Sequence, residues 1–134
     1  MEQRPANLIY VAPVFRVPDL VAALLFYRQK LGFALDFCYE DFYASVHREG
    51  CHVHLQCAPP TLRDQAAFER NEHIDACVVV QDAEALATEF AAAGVEFSVP
   101  LRTMPYGREF YVRDPDGYVL GFVQPGGEPN EGIA

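Results

Sequence analysis

The sequence repeats one strand–helix pattern at a spacing of 63 residues. Val17 and Asp19 are matched by Val80 and Asp82, and each Asp is followed by apolar residues spaced three and four apart. An Asp at this point predicts a helix N-cap, because its carboxylate accepts hydrogen bonds from the first free N–H groups. The three-and-four spacing predicts a helix with one apolar face, and the β-branched run before each Asp predicts a buried strand. The chain therefore contains one supersecondary unit twice.

A second match extends the repeat to the hairpins. Gly50 follows Arg48 and Glu49, and Gly117 ends the segment Asp114–Gly117, at an offset of 67 residues. Glycine allows a positive φ, and in Asp114–Gly117 proline also presets φ, so both segments predict tight turns between strands. Each half is thus predicted as β-α-β-β-β, an α+β fold of two tandem modules.

The length of 134 residues suits a single domain in which both modules share one core. We expect module one over about 8–57, a linker over about 58–72 with a helical turn near 65–70, and module two over about 73–125. Residues 126–134, rich in Gly and Pro, are expected to form a flexible tail.

Charge and composition exclude several classes of protein. Ten Lys and Arg stand against nineteen Asp and Glu, a net charge of −9 that disfavours nucleic acid and favours neutral or cationic small molecules. The longest apolar run, residues 20–27, is far shorter than the roughly 20 residues of a membrane span. The first residues lack the layout of a signal peptide, so we expect a cytoplasmic protein without membrane contact, whose four cysteines are free and buried.

Short motifs in a fixed order carry a resemblance to a known family. They are Val17–Asp19, Phe26-Tyr27, Leu31–Phe33, Gly107–Phe110 and Asp114–Gly117. In this order and spacing the sequence resembles the vicinal oxygen chelate superfamily, which includes glyoxalase I, extradiol dioxygenases and bleomycin-resistance proteins. The resemblance implies the glyoxalase/bleomycin resistance-like fold, with curved mixed sheets that form a cleft, and a dimer.

Within that superfamily the sequence is most similar to the bleomycin-resistance proteins. The residues that carry this similarity are Ala12–Val14, Leu31–Phe33, Asp36-Phe37, Glu40–Phe42 and Pro105–Phe110. The similarity implies a metal-free homodimer that sequesters an aromatic or cationic ligand in an interface cleft, without catalysis. It also implies exchange of the N-terminal strand between chains, with Pro13 at the crossover. Unlike the bleomycin binders, this chain has no Trp, which puts bleomycin itself in doubt as the ligand.

The resemblance also indicates which residues contact the ligand. We expect Glu109 to pair with Arg108 or to touch the ligand directly. The expected ligand-binding residues are Phe37, Asp41, Phe42, His54, Asp75, Tyr106, Arg108 and Glu109.

The alternative is a metal-dependent lyase or dioxygenase. Enzymes of the superfamily hold a divalent metal through four strand positions, which correspond here to Ala12, His54, Asp75 and Gly121. Ala and Gly offer no side-chain ligand, so we expect no cofactor. His52 lies two residues from His54 and so shares its face of a strand. If one divalent metal ion is bound, His52, His54 and Asp75 are the expected ligands.

Overall fold

The order of helices and strands repeats once along the chain, in a computed structural model that describes residues 4–126. Both halves read β-α-β-β-β, which confirms the predicted α+β fold of tandem modules. A short helix lies in the linker, and of the predicted tail all but Gly126 lies outside the described residues. The elements are β1 Val14–Val17, α1 Leu20–Gln29, β2 Ala34–Tyr39, β3 Tyr43–Arg48, β4 Cys51–Cys57, α2 Gln65–Arg70, β5 Ala76–Val79, α3 Ala83–Ala92, β6 Glu96–Met104, β7 Gly107–Arg113 and β8 Val119–Pro125.

The two long helices begin where their capping residues predict. The Asp19 carboxylate accepts from the Ala22 N–H at 3.0 Å, and the Asp82 carboxylate accepts from the Ala85 N–H at 3.0 Å. Each bond satisfies an N–H that has no partner inside its helix. The equivalent caps orient α1 and α3 in the same way in the two modules.

Each module forms one four-stranded mixed sheet. The strand orders are β1-β4-β3-β2 and β5-β8-β7-β6, and the first pair in each sheet is parallel while the others are antiparallel. Val14 lies opposite His54 in the first sheet, and Cys77 lies opposite Gly121 in the second. These pairs differ by 63 and 67 residues, the two offsets seen in the sequence, so the modules share one register.

A single hydrophobic core joins the modules through the helix-bearing faces of both sheets. It includes Leu55 and Tyr27 from module one and Phe90 and Phe110 from module two, all at most 1% exposed. The Tyr27 hydroxyl donates to the buried Asp114 carboxylate at 2.8 Å, and the Phe15 and Tyr118 rings stack at 4.3 Å. The opposite face of each sheet is left free of this core and is called here its open face.

Two further sequence expectations concern the membrane and the cysteines. Among residues 4–126, no helix is long and apolar enough to cross a membrane. The cysteines are free, but the prediction that they are buried is wrong for the single chain, where all four are exposed. They lie at the ends of β4 or on the edge strands β2 and β5, where the core does not reach: Cys38, Cys51, Cys57 and Cys77.

Candidate functional site

The open face of the first sheet carries a row of polar and aromatic side chains across all four strands. Val14, His54, Ser45 and Phe37 are opposite one another in the strand register. The row lies on the open face because Val53 and Leu55, the neighbours of His54 along β4, point into the core. The face therefore brings an imidazole, a hydroxyl and a phenyl ring together.

His54 is the centre of this face. Its Nδ1 lies 2.7 Å from the Tyr43 hydroxyl, and its Nε2 lies 3.1 Å from the Tyr10 hydroxyl. The Phe37 ring meets the imidazole edge-on at 5.6 Å. Burial, with a smaller contribution from His52, lowers the pKa of His54 and favours the neutral ring. A neutral imidazole donates from one nitrogen and accepts at the other, which suits two hydroxyl partners.

His52 lies beside His54 on the same face. Its ring stacks in parallel on the Tyr10 ring, with centroids 3.7 Å apart and an interplanar angle of 9°. Its Nδ1 is buried, has no hydrogen-bond partner among residues 4–126, and lies 3.6 Å from an oxygen of Asp36. The Ser45 hydroxyl donates to that same oxygen at 3.3 Å.

The open face of the second sheet is chemically different. The equivalent row is Cys77, Gly121, Tyr111 and Val99. Phe68 of α2 and Ile74 pack against Val99, Tyr111 and Val119, so the linker covers this face. A Cβ at Gly121 would lie 3.2 Å from two Ile74 carbons. Ile74 can therefore pack this closely on the sheet because residue 121 has no side chain.

Charged residues around the open face of the second sheet are paired with one another by hydrogen bonds. Glu109 is 1% exposed and accepts from Arg102 at 2.6 Å and from the Tyr106 hydroxyl at 2.5 Å. Arg102 also donates to both carboxylate oxygens of Glu72. The bond to Glu109 raises the pKa of Tyr106 to about 12, because it stabilises the protonated phenol. Glu109 therefore pairs with Arg102 and not with Arg108.

Seven of the eight predicted ligand-binding residues separate into three groups. His54 and Phe37 come together on the first open face, while Phe42 and Asp41 lie in or beside the exposed turn between β2 and β3. Asp75, Tyr106 and Glu109 belong to the second face, as its charged networks show.

Arg108 lies outside the candidate site. It lies opposite Gln124 of β8 and Thr103 of β6 and donates to Glu84 of α3 at 3.0 Å. Side chains alternate along β7, so residues 109 and 111 share the open face while 108 lies on the helix side. That Arg108 contacts the ligand stays a prediction, which in the single chain would place the contact on the helix side of the sheet.

The donor atoms of Asp75 and His54, two of the three possible metal ligands, already have partners in the single chain. Both oxygens of Asp75 are bound by Arg63, at 2.8 and 2.9 Å, and the Val119 N–H donates to one of them. Both nitrogens of His54 have hydroxyl partners, and Ala12 and Gly121 provide no ligand atom. Within residues 4–126, no three His, Cys, Asp or Glu side chains are arranged to hold a metal ion. In the single chain, His52, His54 and Asp75 do not fit a divalent metal.

Two residues of these faces, Tyr10 and Arg63, are not among the predicted site residues. One signal for Tyr10 was present, since in an extended chain residues 10, 12 and 14 face the same side, and Val14 is paired with His54. For Arg63 the sequence offers no signal, because its partner Asp75 is brought to it by the turn after α2.

Comparisons with known proteins agree with this architecture. The model of the Glyoxalase/Bleomycin resistance protein/Dioxygenase superfamily matches residues 8–122. No curated protein sequence matches the chain.

Several solved structures are similar to it. A bleomycin-binding protein from Streptomyces verticillus, solved with copper(II)-bleomycin, is 28% identical, with a TM-score of 0.66 over 91% of this chain and 100% of that one. An antibiotic-binding protein from Streptomyces sp. CB03234 is 24% identical, with a TM-score of 0.65 over 90% and 100%. A superfamily protein from Alicyclobacillus acidocaldarius is 18% identical, with a TM-score of 0.72 over 92% and 95%. The last two show the shared fold alone.

Proposed function

Because the chain belongs to the Glyoxalase/Bleomycin resistance protein/Dioxygenase superfamily, we propose that it is a binding protein that sequesters a small aromatic or cationic molecule without metal. The observation that carries the proposal is the open face of the first sheet, where His54, Phe37 and Tyr43 present rings and hydroxyls around a buried Ser45. Flat aromatic molecules gain stacking and edge contacts on such a face. The net charge of −9 favours a cationic substituent.

The neighbour from Streptomyces verticillus supports the same kind of ligand. It is a bleomycin-binding protein of which this chain covers the whole length at 28% identity. The positions that hold metal in enzymes of the superfamily include Ala12 and Gly121 here, which supports binding over metal-assisted chemistry.

A second copy of the chain completes the proposed cleft. Leu8, Ile9 and Val11 precede β1 and are at least 90% exposed in the single chain. Three large apolar side chains together on an extended segment favour contact with another protein surface. Exchange of this segment at Pro13 between two chains would cover them, and the ligand would then lie between the copies.

The proposal is tested by titrating two cations that carry flat aromatic rings, bleomycin and ethidium, in a calorimeter. We expect at least one of them to bind with one site per chain. Replacing Phe37 with Ala should weaken that binding about tenfold, because one aromatic contact of roughly 1 to 1.5 kcal/mol is lost. Leu35→Ala on the same strand is the matched control, since Leu35 pairs with the core residue Val46 on the other face, and it should leave the affinity unchanged.

Two outcomes would contradict this proposal. One is that neither cation binds, and the other is that Phe37→Ala and Leu35→Ala weaken binding equally.

Sedimentation velocity on the same preparation tests the second copy, for which we expect the mass of a dimer. A protein that sediments only as a single chain would remove the interface cleft from the proposal.

The purified protein should retain no stoichiometric metal. After incubation with Zn²⁺, Mn²⁺ or Fe²⁺ and desalting, we expect less than about 0.1 metal per chain, since a stable site needs three or four free ligands. Elemental analysis provides the measurement, and His54→Ala should give the same content as the unaltered chain. One metal per chain that disappears in His54→Ala would instead establish the enzyme alternative.

A further inference from the structure

Among the large side chains of residues 8–11, Tyr10 alone turns toward the protein. Its neighbours Leu8, Ile9 and Val11 are 96%, 90% and 91% exposed, whereas Tyr10 is 43% exposed. The segment forms no helix or strand at this point, so no backbone ladder fixes its direction. Tyr10 is held by the contacts of its ring and hydroxyl with the first open face.

Those contacts define a slot with specific chemistry. The ring lies flat on the His52 imidazole at 3.7 Å, and the His54 imidazole meets it edge-on at 5.9 Å. The hydroxyl lies 3.1 Å from Nε2 of His54. A parallel aromatic face with one hydrogen-bonding nitrogen at its end is complementary to a planar ring that carries a hydroxyl group.

The slot is built independently of Tyr10. His54 is oriented by the Tyr43 hydroxyl at 2.7 Å, and His52 is followed in its row by His47, with ring centroids 5.7 Å apart. His52, His54 and Tyr43 belong to two paired strands, β3 and β4, whose register fixes their spacing. If Tyr10 leaves, a preformed aromatic slot remains, and a preformed slot binds its ligand at low entropic cost.

We propose that Tyr10 occupies the position of the ligand's ring, so that the ligand class is a planar phenol and Tyr10 competes with it for the slot. This inference rests on the proposed function and names the ligand group that the first open face recognises. Binding then requires Tyr10 to lift from His52. If two chains exchange the segment at Pro13, the partner's Tyr10 takes the same place and must lift in the same way. The measured affinity is lower than the intrinsic one by the fraction of chains in which the slot is open.

The experiment compares two probes of the same shape, 2-naphthol and 2-methylnaphthalene, by probe fluorescence. The chain has no Trp, so excitation of the naphthalene ring beyond the tyrosine band reports the probe alone. We expect Tyr10→Ala to bind 2-naphthol at least about tenfold more tightly than the unaltered chain, since the competing ring is gone. The gain for 2-methylnaphthalene should be similar, because it enters the same slot. Its affinity for Tyr10→Ala should be about fivefold weaker than that of 2-naphthol, because it cannot use His54 Nε2.

Two further variants separate the slot from a general effect. Leu62→Ala removes a 92% exposed apolar residue of the linker and should leave both affinities unchanged. Adding His52→Ala to Tyr10→Ala should cancel the gain for 2-naphthol, because the stacking surface is lost. Circular dichroism should show the same folded spectrum for all variants, since Tyr10 contributes nothing to the core.

The inference is overturned if Tyr10→Ala binds 2-naphthol no more tightly than the unaltered chain, or if Tyr10→Ala binds both probes with equal affinity. If ethidium or bleomycin binding depends on Phe37 but Tyr10→Ala gains no affinity for 2-naphthol, this inference fails while the proposed function stands. Conversely, a gain for 2-naphthol in a chain that binds neither cation supports the phenol slot and overturns the proposed cationic ligand.

Discussion

Replacing Asp114 with Ala is expected to destabilise the protein by about 2 kcal/mol at pH 7 and by about 4 to 5 kcal/mol at pH 4. The Asp114 side chain is 4% exposed and accepts three hydrogen bonds, from the Tyr27 hydroxyl at 2.8 Å and from the N–H groups of Asp116 and Tyr118 at 2.9 Å each. Ala leaves all three donors without this partner, and the Tyr27 hydroxyl is fully buried. The bond between Tyr27 and Asp114 also joins the two modules.

The dependence on pH follows from the burial of the carboxyl group. Burial raises the pKa of Asp114 to about 6, against about 3.9 in an unfolded chain. Between these values the folded protein holds the proton more tightly than the unfolded chain does. The resulting stabilisation is fully present below about pH 4 and is lost as the pH rises through 6, by up to about 3 kcal/mol. The Ala variant lacks this group, so its deficit is larger at pH 4 than at pH 7.

Urea unfolding followed by circular dichroism at both pH values measures the effect. Comparing two chains at each pH cancels the opposite trend from Glu69 and Glu89, whose pKa values are lowered by hydrogen bonds from Arg113 and Arg48. Asp41→Ala is the matched control, because it removes an exposed Asp from a turn and should change stability by less than about 0.5 kcal/mol. Equal losses of unfolding free energy in Asp114→Ala and Asp41→Ala would contradict a stabilising role for the buried Asp114 carboxyl group.

Gly107→Ala is expected to destabilise the protein by about 4 kcal/mol or more, among the largest effects of a single methyl group. Gly107 has φ of 142°, and a Cβ there would lie 2.0 Å from the carbonyl oxygen of Gln124. That oxygen belongs to β8 backbone paired with β7, so it cannot move aside without breaking the ladder. The added methyl group must therefore separate the two strands.

The same change should disturb the second open face. Gly107 follows Tyr106, whose carbonyl accepts from the Gly126 N–H at 2.9 Å, and precedes the buried Glu109 by two residues. Gly94→Ala is the control: its φ of 81° is also positive, yet no atom lies within 4 Å of the added Cβ. It should cost about 1 kcal/mol from backbone strain alone. Thermal unfolding of both variants measures the difference, and similar melting temperatures would contradict the steric argument.

The two modules show how one backbone pattern supports two different surfaces. His54 and Gly121 occupy equivalent positions, as do Ser45 and Tyr111. In module one the row is polar and partly open, whereas in module two it is apolar and covered by Phe68 and Ile74. The candidate site therefore lies on one open face, although the fold contains two.

Much of the fold was predictable because its determinants are local. Asp19 and Asp82 cap their helices through bonds to residues three positions away, and the turn at Asp114–Gly117 closes within four residues. Hydrophobic periodicity then assigns each face of helix and strand, and the 63- and 67-residue offsets appear again as the strand register. The place of His54 on the open face follows from the same alternation, whereas Phe37 reaches that face only through the register shift between Leu35 and Phe37.

Only the tertiary structure decided which partner each charged and aromatic side chain finds. Glu109 bonds Arg102, seven residues away, instead of its neighbour Arg108, because alternation along β7 sends the two to opposite faces. Asp75 is bound by Arg63 across the turn after α2, and Tyr10 reaches His52 and His54 from a segment without regular structure. A sequence fixes periodicity and local bonds through residues a few positions apart. Pairing across long separations depends on where the packed core places each face, and that position is set by the whole chain.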